Sequence, residues 1–175
     1  MHLLTHTLAG WCAGNCVTQS PKVRAWCMGI SLLPDIDGVS VVFGVQAFYD
    51  YHHTLAHNLL FAFISSVMIG FLNERPLRSA VIFFALIHLH FLMDFFGSGP
   101  IWGIPYLVPF FRREFVSGVA WEIDAWQNFV ALALLGGWTM WIAIRYRRTP
   151  FEFVAPRLEN AILRRKIPQK SSSQE

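Results

Sequence analysis

Residues 79–97, SAVIFFALIHLHFLMDFFG, carry two histidines and an aspartate inside a run that is otherwise almost wholly apolar. The run is close to the roughly 20 residues that cross a bilayer. In lipid such a helix must turn its ionisable groups into a bundle or a polar cavity, because charge in hydrocarbon is expensive. The rest of the sequence points to lipid. Of the 175 residues 54% are hydrophobic and only 14% charged, with a mean hydropathy of +0.42, whereas a soluble domain carries roughly 25% charged residues.

Residues 55–72 and 125–144 are comparable apolar stretches, and the short polar turn NERPLR makes 55–72 and 79–97 antiparallel neighbours. A fourth stretch, 23–45, is interrupted by LLPDIDG, whose carboxylates cannot face lipid. Its helix is expected to stop near Leu33, since the residue before Pro34 disfavours helical backbone. Residues 3–18 read as a short amphipathic helix, and MHLLTHTLAGW lacks the basic n-region of a cleavable signal peptide. The Gly- and Pro-rich segment 98–121 reads as a re-entrant or interfacial loop. The expectation is an all-α fold, a multi-pass membrane helical bundle of about four to five spans. Residues 1–148 form the membrane-embedded domain and 149–175 a basic cytoplasmic tail, with a surface helix near 157–166.

The fourteen Lys and Arg orient this bundle. Lys22 and Arg24 precede one helix, Arg75 and Arg78 lie in the NERPLR turn, and eight more fall in 145–175. With helices at 3–18, 23–34, 55–72, 79–97 and 125–144, these twelve share one side, against Arg112 and Arg113 on the other. The excess puts the tail in the cytoplasm and the amino terminus outside. Cys12, Cys16 and Cys27 form no CxxC pair, and their odd number argues against a disulfide framework; they are read as packing residues.

All seven histidines lie within residues 1–90. Under the same topology His6, Asp35 and Asp37, the box His52-His53-Thr54-Leu55-Ala56-His57, and His90 with Asp94 converge on the outer face. His90 and Asp94, four apart, share a helix face. Imidazole and carboxylate together suit a divalent ion, zinc first, with manganese or iron as alternatives. The candidate ligands are His6, Asp35, Asp37, His52, His57, His90 and Asp94, with His53 and His88 behind them, and their number allows two ions. Asp37 is the candidate general base. The competing reading for any one of these residues is a structural hydrogen bond between helices.

In order along the chain, THTLAG (Thr5 to Gly10), LLPDIDG, the His-x₄-His box from His52 to His57, HxxxD at His90 and Asp94, and WGIPYLVPF (Trp102 to Phe110) resemble a bacterial family of LexA-binding, inner-membrane-associated, metal-dependent hydrolases. The resemblance covers roughly residues 1–115. It departs from the family pattern at His53, where an Arg is usual, and at Ala56, where a small hydroxyl residue is usual. It implies a metal-dependent hydrolase. The order of ligands is also loosely similar to that of zinc-dependent phospholipase C, an analogy that supplies no function by itself.

The leading expectation is therefore a membrane-bound hydrolase acting on a phosphoester or lipid-linked substrate at the outer boundary of the bilayer. The alternative is a non-enzymatic regulator or scaffold, with a structural metal site and a cytoplasmic protein partner held by the basic tail. A proton- or metal-relaying transporter is a third class, disfavoured by the absence of inverted repeats. No specific nucleic-acid binding is expected.

Overall fold

The structure is a computed structural model that describes residues 1–163. The chain forms α1 (Leu3–Val17), α2 (Pro21–Ile30), a 3-10 segment (Leu33–Phe43), α3 (Val45–Tyr51), α4 (Leu59–Gly70), α5 (Pro76–Gly97), α6 (Trp126–Tyr146) and α7 (Pro156–Ile162). Among the described residues there is no strand beyond one isolated bridge, Ile104 with Phe115. The protein is an all-α, multi-pass membrane bundle. Helices α5 and α6 are long and apolar enough to span, and α2 with the 3-10 segment, bent by 49°, is either a third, broken span or a re-entrant loop. The break falls where Pro34 was expected to stop the helix, although α2 itself ends at Ile30.

Helix α4 is shorter than the expected 55–72 span. Asn58 caps it by accepting a hydrogen bond from the Phe61 N–H at 2.9 Å, an N-cap arrangement that fixes where the helix begins. Its 12 residues rise about 18 Å, less than the hydrocarbon thickness of about 30 Å. The residues so released, 52–58, form the loop that carries the histidine box.

Helix α1 packs against α2, α5 and α6, and α5 against α4, α2 and α1. The main core joins Cys27 and Ile30 of α2, Ala62 of α4, Phe83, Leu86, Ile87 and Phe91 of α5, and Ile104. Trp11, Cys12 and Ile142 pack α1 on α6. Helix α6 buries only Asn128 and Ile142 and turns Leu134, Met140 and Ile144 outward. That is the apolar outer surface a spanning helix presents to acyl chains.

Two glycines set close helix approaches. A Cβ on Gly10 would lie 2.5 Å from the Cys27 carbonyl oxygen and from Ser31 Oγ, and one on Gly70 would lie 2.8 Å from the Ala80 Cβ. Small residues at such crossings are how membrane helices gain packing contact.

Arg24, counted above with the orienting cations, is buried. It is bound bidentately to Glu152 at 2.5 and 2.8 Å, donates to the Thr18 carbonyl and lies over the Trp11 ring. The segment expected to be a basic tail thus returns to the bundle as far as it is described. Glu159 accepts from the Thr149 backbone N–H and hydroxyl. The surface helix expected near 157–166 is α7; residues 164–175 of the tail lie outside the described residues.

Replacing Gly70 with Leu should force α4 off α5 and cost about 1–3 kcal/mol, read as a lowered unfolding temperature in detergent. Gly136→Leu on α6, where no atom lies within 4 Å of the added Cβ, should leave that temperature unchanged. Equal losses in both variants would remove the close approach as the cause.

Candidate metal centre

Four segments meet at one end of the bundle: the start of α1, the 3-10 segment, the loop 52–58 and the last turns of α5. They bring together Asp35, His57, His90 and Asp94, whose ligand atoms all lie within 4.8 Å of one another. His57, His90 and Asp94 are at most 1% exposed.

The hydrogen bonds around this group decide what its centre must contain. His90 donates from Nδ1 to the Ser31 carbonyl at 2.8 Å, which leaves Nε2 of the neutral ring as an acceptor. His57 donates from Nδ1 to Asp37 Oδ2 at 3.2 Å, so its Nε2 is an acceptor when that ring is neutral. The two Nε2 atoms face each other at 3.2 Å. Asp94 Oδ2 stands 2.8 Å from His90 Nε2 and 3.5 Å from His57 Nε2, and Asp35 Oδ1 is 3.7 Å from His90 Nε2. Asp94 Oδ2 and Asp35 Oδ2 are buried and accept no hydrogen bond. Two imidazole nitrogens and two carboxylates converge, and positive charge between them resolves that arrangement: a bound divalent cation, or a proton on His57, which burial disfavours but the Asp37 and Asp94 carboxylates favour, pushing its pKa up to about 9. Zinc–ligand bonds of 2.0–2.1 Å place tetrahedral ligand atoms about 3.4 Å apart, a value the four separations bracket. The donor set therefore fits a divalent ion.

The surrounding groups orient the four donors, as outer partners of metal ligands do. Asp94 Oδ1 is saturated by His6 Nε2 at 3.1 Å, by Ser98 Oγ at 2.9 Å and by the amino terminus of Met1, which turns Oδ2 toward the cluster. His6 also stacks on His90 with ring centroids 3.9 Å apart. Close packing at Gly10 holds Ser31 against α1, and the Ser31 carbonyl in turn fixes the His90 ring.

Sequence reasoning placed Asp37 and His52 among the ligands. Both Asp37 oxygens are instead engaged, Oδ1 by His52 Nδ1 at 2.9 Å and Oδ2 by His57 and the Ala56 N–H. Asp37 thus bridges two imidazoles from outside the four-donor group. His53 has a positive φ of 67°, in the left-handed region that few non-glycine residues occupy. It stacks on His57 with centroids 4.0 Å apart and brings Nε2 to 3.8 Å from Asp94 Oδ2. Burial, followed by the neighbouring His57, holds the His53 imidazole down at about 2, so it is a neutral donor beside the cluster.

His88, expected behind the ligands, is not brought to them. It donates to the Phe84 carbonyl and binds the Tyr106 hydroxyl, both at 2.8 Å. Two residues before His90, it lies about 200° round the helix. The partners that sequence reasoning missed are the Ser31 carbonyl, Ser98 and the Met1 amino group; no residue pattern announces a backbone carbonyl as a partner.

Loop 98–121 folds over this end. Ile104 and Phe115 exchange backbone hydrogen bonds, both 2.9 Å, and the Tyr106 carbonyl accepts from the Leu59 N–H. Trp102 comes within 5.3 and 5.5 Å of the His52 and His53 ring centroids. Between loop and histidine box lies a cavity of about 500 Å³ lined by Tyr49, Asp50, His52, His53, Trp102 and Arg112 among others.

An all-helical bundle with apolar spanning helices and a dry His/Asp group able to hold a metal ion at one end defines a class of multi-pass membrane protein. The chain belongs to the YdjM inner membrane protein family, whose model matches residues 1–158. That match runs into α7, beyond the motifs read from the sequence. No curated protein and no solved structure matches.

Elemental analysis of detergent-purified protein should find a divalent metal in the wild type and none in His90→Ala. Asp37→Asn should weaken affinity about 10–100-fold, the usual effect of removing an orienting partner, and His88→Ala should leave it unchanged. Metal loss in His88→Ala equal to that in His90→Ala would contradict the assignment of donors.

Proposed function

We propose that this protein is a membrane-bound, metal-dependent hydrolase acting on a phosphoester or lipid-linked substrate at the outer face of the inner membrane. The observation that carries the reading is the convergence of His57 Nε2, His90 Nε2, Asp35 and Asp94 Oδ2 in one largely buried group. Zinc suits these donors best, with manganese or iron as alternatives, and His53 and His6 stand close enough to serve a second ion. Bound there, a divalent ion supplies a Lewis acid and lowers the pKa of a coordinated water.

The protein's own groups do the rest. Asp37 anchors His52 through Nδ1 and leaves its other ring nitrogen to the cavity under Trp102. This pairing makes His52, positioned by Asp37, the group that carries a proton to or from substrate, with Asp37 as the positioning residue. Phe48, stacked on His52 at 4.5 Å, keeps the ring in that orientation. Arg112 lines the same cavity and offers positive charge to an anionic group, a role that His53 cannot fill in place of the arginine usual in the family the sequence resembles. The gathering of Lys22, Arg75, Arg78 and Arg145 to Arg148 at the far end supports a cytoplasmic carboxyl terminus.

A second reading has an observation of its own. All four donors come from the protein and three are fully buried, as in closed structural sites. The chain would then be a regulator or scaffold, with its basic tail as the surface for a cytoplasmic partner; LexA is the partner that the sequence resemblance implies.

His52→Ala should keep its metal and lose about 10²–10⁴-fold in kcat on bis(p-nitrophenyl) phosphate or a phospholipid, measured in detergent or liposomes. Deletion of residues 164–175, which keeps the Glu152 partner of buried Arg24 and the Glu159 partner of Thr149, should leave that rate intact. A metal-loaded protein that hydrolyses no phosphoester, together with a partner lost on tail deletion, would establish the regulator instead.

A further inference from the structure

The end of the bundle remote from the histidines holds a second cavity, of about 500 Å³, between the turn that joins α1 to α2 and the turn that joins α4 to α5. From Arg78 to His90 is twelve residues of α5, about 18 Å of helix, so the two cavities are separate sites.

Three cations rim it. Lys22 Nζ donates to the Leu72 carbonyl at 3.1 Å, and Arg78 Nη2 donates to the Val17 carbonyl at 2.7 Å. Each is thereby held at the rim with further N–H groups to spare, since an ammonium has three donors and a guanidinium five. The Arg75 guanidinium makes no hydrogen bond or ion pair among the described residues. Glu74 is the one acidic residue in the lining, so positive charge is in excess. Helices α2 and α5 also begin here, each with Pro in its first turn, and direct the positive ends of their dipoles at the cavity.

A further observation specifies the ligand. Asn73, 8% exposed, donates through Nδ2 to the Ile69 carbonyl at 3.0 Å. That bond fixes the amide, and its Oδ1 is buried in the lining without a donor. A ligand that satisfies the site has an anionic group for the cations and a hydroxyl for Asn73. Val23 and Ile82 complete the wall with apolar surface, beside helices whose outer faces meet lipid.

We propose that this cavity binds the headgroup of an anionic, hydroxyl-bearing phospholipid, a phosphatidylglycerol, with Lys22, Arg75 and Arg78 on the phosphodiester and Asn73 Oδ1 accepting from the glycerol hydroxyl. Basic pockets between membrane helices are the usual form of such sites. The site is independent of the metal centre and of any hydrolysis there.

The test is lipid titration of the full chain in detergent, followed by native mass spectrometry. Phosphatidylglycerol should bind at least about tenfold more tightly than phosphatidylcholine, a preference that salt weakens. The double variant Arg75→Gln/Arg78→Gln should lose the preference while keeping a cooperative unfolding transition in detergent, which shows that it is folded. Arg113→Gln at the other end should keep it, and Asn73→Leu should lower phosphatidylglycerol binding to the level of phosphatidic acid. Equal binding of phosphatidylglycerol and phosphatidylcholine, or an unchanged preference in the double variant, overturns the site. Displacement by soluble glycerol phosphate at the same concentration overturns the lipid as its occupant.

Discussion

Acceptors turned on one another in a dry interior repel, and the end of this bundle is organised around that repulsion. His90 is committed to the Ser31 carbonyl and His57 to Asp37, so each ring turns its Nε2 to the centre. Asp94 is committed on one oxygen to His6, Ser98 and the amino terminus, so only the other faces inward. Each commitment comes from a different segment. The start of α1, the break after α2, the short α4 and the close approach at Gly10 can all be traced to what the cluster needs. The loop 52–58 is long because α4 is short, and α4 is short because Asn58 caps it.

The elements that were plain from sequence are those whose signal is one long run. The span expected at 79–97 is α5, begun three residues earlier by Pro76, and 125–144 is α6 within two residues. The pairing of His90 with Asp94 followed from helical spacing alone. Less legible was anything decided by a single capping or packing contact. An apolar run from 55 to 72 gives no sign that Asn58 will interrupt it, and the basic character of Arg24 gives no sign that Glu152 will neutralise it. Asp37 and Asp35 are equivalent in the motif; only the loop 52–58, folding back, makes one a bridge between imidazoles and the other a donor. His88 is a different case. Its two-residue offset from His90 already placed it on the far side of the helix, and that geometry could have been used.

The helices alternate between two chemically unlike ends. At one, carboxylates and imidazoles outnumber the hydrogens available to them; at the other, Lys22, Arg75 and Arg78 outnumber the one acid beside them. Every long helix joins the two, so the bundle is polarised along the direction in which it crosses the membrane.

The ion pair between Arg24 and Glu152 carries a consequence for biogenesis. Its partners are 128 positions apart, so α2 is made long before the acid that neutralises Arg24 exists. The segments that build the His/Asp group, by contrast, are complete once Ser98 has emerged. The two ends therefore mature at different moments: the ligand-bearing end can assemble while α6 is still unsynthesised, whereas α2 must wait for the last part of translation to shed its charge.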